Sequence, residues 1–132
     1  MTTRPRVPVT SPLGAAIGYS RAIRAGDLVF VSGTTASGPD GTALHPGDGF
    51  AQATLILQRI ADALRGFDAT LEDVVETRIY LTEMAQFAAV GRAHGAAFAA
   101  IRPATTMVEI GPLLAPGLVV EISAMASLAP VS

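Results

Sequence analysis

Residues 71–82 read LEDVVETRIYLT, and the order of polar and apolar side chains along this stretch decides the fold. Val75, Thr77, Ile79 and Leu81 alternate with Glu76, Arg78 and Tyr80, the period of two that sends successive side chains to opposite faces of a β-strand. The segment therefore reads as a strand with one apolar and one mixed face, flanked on both sides by helical spacing. Upstream, Asp48 caps a helix expected to reach about Arg65 and stop at Gly66, with Phe50, Ala53, Leu57, Ile60, Ala61 and Leu64 on one stripe. Gln52, Arg59 and Asp62 fall on its other faces. Downstream, Thr82 caps a second helix to about Ile101, with a stripe of Phe87, Val90, His94, Ala97, Phe98 and Ile101, and Pro103 ends it.

Further out, Ser20–Ile23 and Leu28–Ser32 flank Ala25-Gly26-Asp27 and predict a hairpin. Leu28-Val29-Phe30-Val31 is apolar on both alternating faces, so this strand is expected to be covered on both sides. Residues 1–14, rich in Pro, Thr and Arg, read as an extended arm, and Gly33–Gly49, with five Gly and two Pro, as a loop. Thr105–Ile110 and Leu118–Ser127 predict two last strands across the loop GPLLAPG. The order β-β-α-β-α-β-β over 132 residues predicts one α+β domain whose sheet carries both helices on one face. The other face then needs cover. With half the residues hydrophobic and only 15% charged, the chain is expected to bury that face against copies of itself.

Composition excludes several chemistries. All nine basic residues are Arg, so Schiff-base catalysis on a lysine and a Walker-type lysine are ruled out. The absence of Cys removes thiol nucleophiles, disulfides and Cys-based metal sites. The two histidines, His45 on a loop and His94 in a helix stripe, form no metal constellation with the carboxylates. A net charge of −2 and a scarcity of aromatic residues argue against a nucleic-acid partner. No apolar run reaches the length of a membrane span and no signal-peptide pattern opens the chain, so a soluble cytoplasmic protein is expected.

At GYSRAIRAGDLVFVSGTTA (18–36), TLEDVVETRIYLTEM (70–84), and RPATTMVEI followed by LVVEISAMA (102–126), the chain resembles the RidA/YjgF family of enamine and imine deaminases. The resemblance implies a chorismate-mutase-like fold, a homotrimer with clefts between neighbouring subunits, a small-molecule substrate and no cofactor or metal. It also implies residue roles. Glu121 matches the carboxylate that positions the hydrolytic water, while Tyr19 and Gly33 match cleft residues. The family's Pro-Ala-Arg motif, whose Arg grips a substrate carboxylate, reads Pro103-Ala104-Thr105 here, and a cleft-lining Asn is replaced by Gly91. Such departures are those of a divergent subfamily with a substrate other than a simple 2-imino acid. They also leave open a non-catalytic protein that binds a metabolite or regulates a partner.

The candidate site thus comprises Glu121 as the catalytic group and Tyr19, Gly33, Arg78, Gly91, Thr105, Thr106 and Met107 around the substrate. Arg78 and Arg21 are the cations expected to stand in for the missing Arg, since guanidinium forks bind carboxylates in bidentate fashion. Each has a structural alternative, Arg78 and Arg21 in subunit-bridging ion pairs with Glu76, Glu109 or Glu121. His94, seven residues past Phe87 and four before Phe98, is expected to be a hydrogen-bonded core histidine rather than a catalytic one.

Overall fold

The computed structural model of the protein describes residues 3–131. Its elements run β1 (Arg6–Pro8), β2 (Ser20–Ala25), β3 (Leu28–Thr34), α1 (Gly49–Arg65), β4 (Val74–Leu81), α2 (Phe87–Phe98), β5 (Ala104–Glu109) and β6 (Val120–Ser127). They form one six-stranded sheet in the order β1-β2-β3-β6-β4-β5. Only β4 and β5 are parallel, joined through α2; every other neighbouring pair is antiparallel. The expected α+β architecture is present, with one added strand. The arm contributes β1, which pairs with β2 through Arg6, Val7 and Pro8; Met1 and Thr2 of that arm lie outside the described residues.

The hairpin β2–β3 closes on Ala25 opposite Leu28, with Gly26 and Asp27 as its two-residue turn. Gly26 adopts φ +60°, the positive value that a tight hairpin turn requires at its first position. Asp48 caps α1 as expected, its Oδ1 accepting from the Ala51 N–H at 3.0 Å, and Gly66 terminates the helix. The buried face of α1 is Gln52, Ala53, Ile56, Leu57, Ile60, Ala63 and Leu64, so the predicted stripe is rotated. Phe50 is 40% exposed and lies instead under the Arg92 guanidinium, 5.3 Å from the ring centroid.

Gln52 is the larger correction, because a residue assigned to a solvent face is wholly buried. Its Nε2 donates to the carbonyls of Leu44, His45 and Gly117 at 3.2, 3.0 and 2.8 Å, and its Oε1 accepts from the Val119 N–H at 3.0 Å. One amide thereby joins the loop before α1 to the loop before β6 and satisfies backbone groups that no strand or helix reaches.

Two other expectations fail for reasons of local geometry. Thr82 does not cap a helix, because its N–H continues the sheet ladder to Val119 O. A 3₁₀ turn, Met84–Gln86, precedes α2 instead, and the carboxylate at its start comes from Glu109, which accepts from Met84 N–H at 2.7 Å. On β4 the register shifts between Val74 and Glu76, so Val74 enters the core and Val75 is turned out. From Glu76 onward the predicted alternation holds: Thr77, Ile79 and Leu81 face the helices, and Glu76, Arg78 and Tyr80 the opposite side.

The helices cover one face of the sheet, and the core of Val29, Val31, Ile79, Val120, Ile122 and Ala126 lies beneath them. The second face is open in the protomer. Leu28 and Phe30, expected to be covered, are 37% and 38% exposed there.

Replacing Gln52 by Leu keeps the volume but leaves the Leu44 carbonyl and the Val119 N–H unpaired at a buried junction, while His45 O and Gly117 O keep only the N–H groups of Asp48 and Gly47. The variant is expected to lose about 1–3 kcal/mol of stability in urea unfolding, the cost of unsatisfied buried polar groups. A loss within the scatter of surface substitutions would show that the junction does not need the amide.

Candidate functional site

The end of β3 approaches β6 closely at one point. A Cβ built on Gly33 would lie 2.9 Å from both Cδ and Oε2 of Glu121, so only glycine lets the carboxylate rest against this backbone. Glu121 is the register partner of Tyr80 on β4, and both side chains face the open side of the sheet. Among the described residues, no hydrogen bond or ion pair engages the Glu121 carboxylate. Its lone pairs are free for water or a ligand.

Two arginines hold the backbone beside it. Arg21, on β2, donates through Nη2 to Ser32 O at 2.8 Å, Gly33 O at 3.0 Å and Thr34 Oγ1 at 2.8 Å. Arg59, from α1, donates through Nη1 to the carbonyls of Thr35 and Ser37 at 2.8 and 2.9 Å. Burial lowers the Arg21 pKa from its ordinary value; nearby Tyr19 and Glu121 oppose this and Arg59 reinforces it. Arg21 Nε is buried without a partner. Arg21 is thus committed to the β3 exit and makes no ion pair with Glu121 within the protomer. Tyr19 sits just ahead of β2, its N–H donating to Gly14 O at the end of a π-helical turn, Gly14–Gly18.

Arg78 lies on the open face, as alternation predicts, with Nε 3.1 Å from Glu76 Oε1 on its own strand. Thr106 is its register partner on β5. The pair Arg78–Glu76 is largely exposed and contributes little to stability.

Thr105 and Met107 point the other way. Thr105 Oγ1 lies 2.8 Å from Thr77 Oγ1 and donates to Pro103 O at 3.1 Å, and Thr77 Oγ1 lies 2.9 Å from His94 Nε2. Met107 packs against the core from the same side. His94 is the hydrogen-bonded histidine expected, its ring 4.6 Å from that of Phe98, and burial lowers its pKa from the ordinary 6.5. One turn earlier on α2, a side chain at Gly91 would meet nothing within 4 Å, so this position opens on free space.

The predicted residues therefore separate into two groups. Tyr19, Gly33 and Glu121 gather at the β2–β3–β6 end of the sheet, whereas Gly91, Thr105 and Met107 gather at the α2–β5 edge. Glu121 and β5 are separated by strand β4, about 10 Å for two strand spacings, and the groups use opposite faces of the sheet. Arg78 and Thr106 lie between them on the open face. Sequence reasoning missed Arg59 and the Thr77–Thr105 link; the second was accessible, since parallel β4 and β5 place those threonines opposite one another. Among the described residues, no group of three or more His, Asp or Glu gathers to hold a metal, and no helix is long and apolar enough to cross a membrane.

Comparison with known proteins gives a consistent picture. The family model described as Endoribonuclease L-PSP matches residues 9–128. The 3-aminoacrylate deaminase RutC of Acinetobacter baylyi is 31% identical over 108 residues, 82% of this chain and 85% of that protein. A solved member of the YjgF/YER057c/UK114 family from Mycobacterium tuberculosis is 48% identical with a TM-score of 0.84, covering 95% of this chain and 99% of that one. RidA from an Antarctic Psychrobacter is 26% identical with a TM-score of 0.75, covering 96% and 97%.

The half-buried imidazole of His94 makes a pH prediction. Its folded-state pKa is lowered, so on acidification the unfolded chain takes up the proton first, and the contribution of neutral His94 is lost as pH falls through 6.5 and then through the folded value. Melting temperature should fall more steeply from pH 7 to pH 5 in the wild type than in His94→Phe. Parallel curves for the two proteins would contradict a neutral, buried His94.

Proposed function

This chain belongs to the RidA/YjgF family, and from that premise we propose that it hydrolyses a reactive imine or enamine without a cofactor, as a homotrimer in the cytoplasm. The carrying observation is Glu121, a carboxylate set against Gly33 on an open sheet face with no partner among the described residues. In this reading the trimer brings the Tyr19–Gly33–Glu121 group of one protomer to the Gly91–Thr105–Met107 group of its neighbour, with Arg78 and Thr106 lining the approach. Strand β5 supports it: as the sheet's last strand it has one edge unpaired, and that edge lies next to a bare face.

The chemistry follows from the carboxylate. Glu121 accepts a hydrogen bond from water and takes its proton as the water oxygen bonds to the iminium carbon, and the C=N π pair moves to nitrogen. Protonated Glu121 then returns the proton to nitrogen. The carbinolamine then collapses: Glu121, again a carboxylate, takes the hydroxyl proton as the C=O forms and the C–N bond breaks, and ammonia leaves with that proton as ammonium. An enamine enters the same sequence after a proton adds to its β-carbon. Arg21 and Arg59 act by fixing the Ser32–Ser37 backbone against which Glu121 rests. RutC, named for deamination of 3-aminoacrylate, supports this reaction class.

One observation favours a second reading, a binding protein without turnover. Thr105 carries no charge and its hydroxyl is committed to Pro103 and Thr77, so it offers no grip on a substrate carboxylate. Ribonuclease activity, the sense of the family model's description, is disfavoured by the net charge of −2 and the absence of Lys.

Glu121→Gln separates the two readings. Turnover of imines generated in situ is expected to fall about 10²- to 10⁴-fold, the usual worth of a positioned acid–base group, with binding of a stable analogue little changed. Unchanged turnover in an intact assembly would remove Glu121 from the mechanism.

A further inference from the structure

Beside the α2–β5 edge lies a pocket of about 340 Å³ lined by His94, Gly95, Phe98, Ala99, Arg102, Pro103 and Thr105. Its volume is that of a small-ligand site. One arrangement of hydrogens makes all three contacts behind it hydrogen bonds at once. Pro103 O can only accept, so Thr105 spends its single proton there. Thr77 must then donate to Thr105, and the remaining bond forms only if His94 Nε2 carries the hydrogen and donates to Thr77. Neutral His94 is left with a bare lone pair on Nδ1. That atom has no partner among the described residues and is not sealed from solvent, since the only buried, unpartnered side-chain atom among them is Arg21 Nε. Burial, which lowers the His94 pKa, keeps the ring neutral near pH 7.

The pocket also has one cation at its rim. Arg102, at φ +53°, anchors its Nε on Ala99 O at 3.1 Å, and its other guanidinium N–H groups have no partner among the described residues. Phe98, Ala99 and Pro103 supply apolar wall, and Thr77 and Thr105, the groups contributed by β4 and β5, are neutral.

We propose that this pocket is a subsite for a primary carboxamide, whose NH₂ donates to His94 Nδ1 and whose carbonyl accepts from Arg102. A carboxylate has no hydrogen for Nδ1 and places its own lone pairs against that of the imidazole. Arg102 is exposed, so its attraction for a carboxylate is screened by water, while the half-buried imidazole is screened less. The inference rests on the proposed function in taking the occupant as one end of the imine or enamine substrate. It then assigns that substrate an amide where a 2-imino acid has its acid group.

The test compares pyruvamide with pyruvate, stable carbonyl analogues that differ in this group alone, by calorimetric or NMR titration of the whole protein at pH 7.5. Pyruvamide is expected to bind at least about tenfold more tightly, the worth of one hydrogen bond gained and one repulsion avoided. His94→Phe should bring the two within about twofold of each other. Thr77→Val, which keeps the packing but frees the tautomer, should narrow the preference and serves if His94→Phe does not fold. Equal or tighter binding of pyruvate, no binding of pyruvamide, or a preference that survives both variants would overturn the proposal. These readouts are independent of turnover. A preference for pyruvate leaves hydrolysis by Glu121 standing, and loss of the hydrolytic reading through Glu121→Gln leaves a measured amide preference standing.

Discussion

Strands β3, β4 and β6 bury Val29, Ile79 and Ile122 under two helices, while Phe30, Arg78, Tyr80 and Glu121 emerge on a face that no other element of the chain covers. This asymmetry constrains everything else about the molecule. Two helices cannot cover both sides of six strands, and monomers rarely leave so large an apolar surface in water. A carboxylate on such a face is costly if dry and unpaired. It is tolerable at a wet cleft, which is what a subunit boundary supplies.

The polar anchors serve the same arrangement from inside. Gln52 ties the loop before α1 to the loop before β6, and so sets where β6 begins and where Glu121 falls along it. Arg21 and Arg59 hold the chain as it leaves β3, so that Gly33 stays pressed to the Glu121 carboxylate. At the opposite edge, Thr77 links α2 to β5 through His94 and Thr105. Each device is a side chain satisfying groups at a junction that the regular ladders leave out, which is where precise geometry is needed and hydrophobic packing supplies none.

Much of the fold was legible because it follows from periodicity. Alternation along residues 76–81 assigned the faces of β4 correctly, helical spacing placed His94 over the sheet, and Asp48 and Gly66 marked both ends of α1. What was not legible depends on partners distant in sequence. Gln52 is buried because two loops need an amide, and a stripe drawn from apolar residues passes over it. The carboxylate at the start of the Met84 turn comes from Glu109, 25 positions later, while adjacent Thr82 is still held in the sheet. The shift at Val75 is a property of the β4–β6 pairing, invisible in β4 alone. The candidate site residues came as a list from family resemblance, but their division between two ends of one protomer did not, since no single-chain pattern records which surfaces meet.

That division makes the assembly the central claim of the proposed function, in which the two groups complete each other across a boundary between copies. Mass determination by light scattering on the eluting protein at micromolar concentration tests it most directly. The account predicts a single species of about three times the 13.5 kDa of one chain. A stable species with the mass of one chain would leave Glu121 and Thr105 on opposite sides of the same sheet and contradict the shared site.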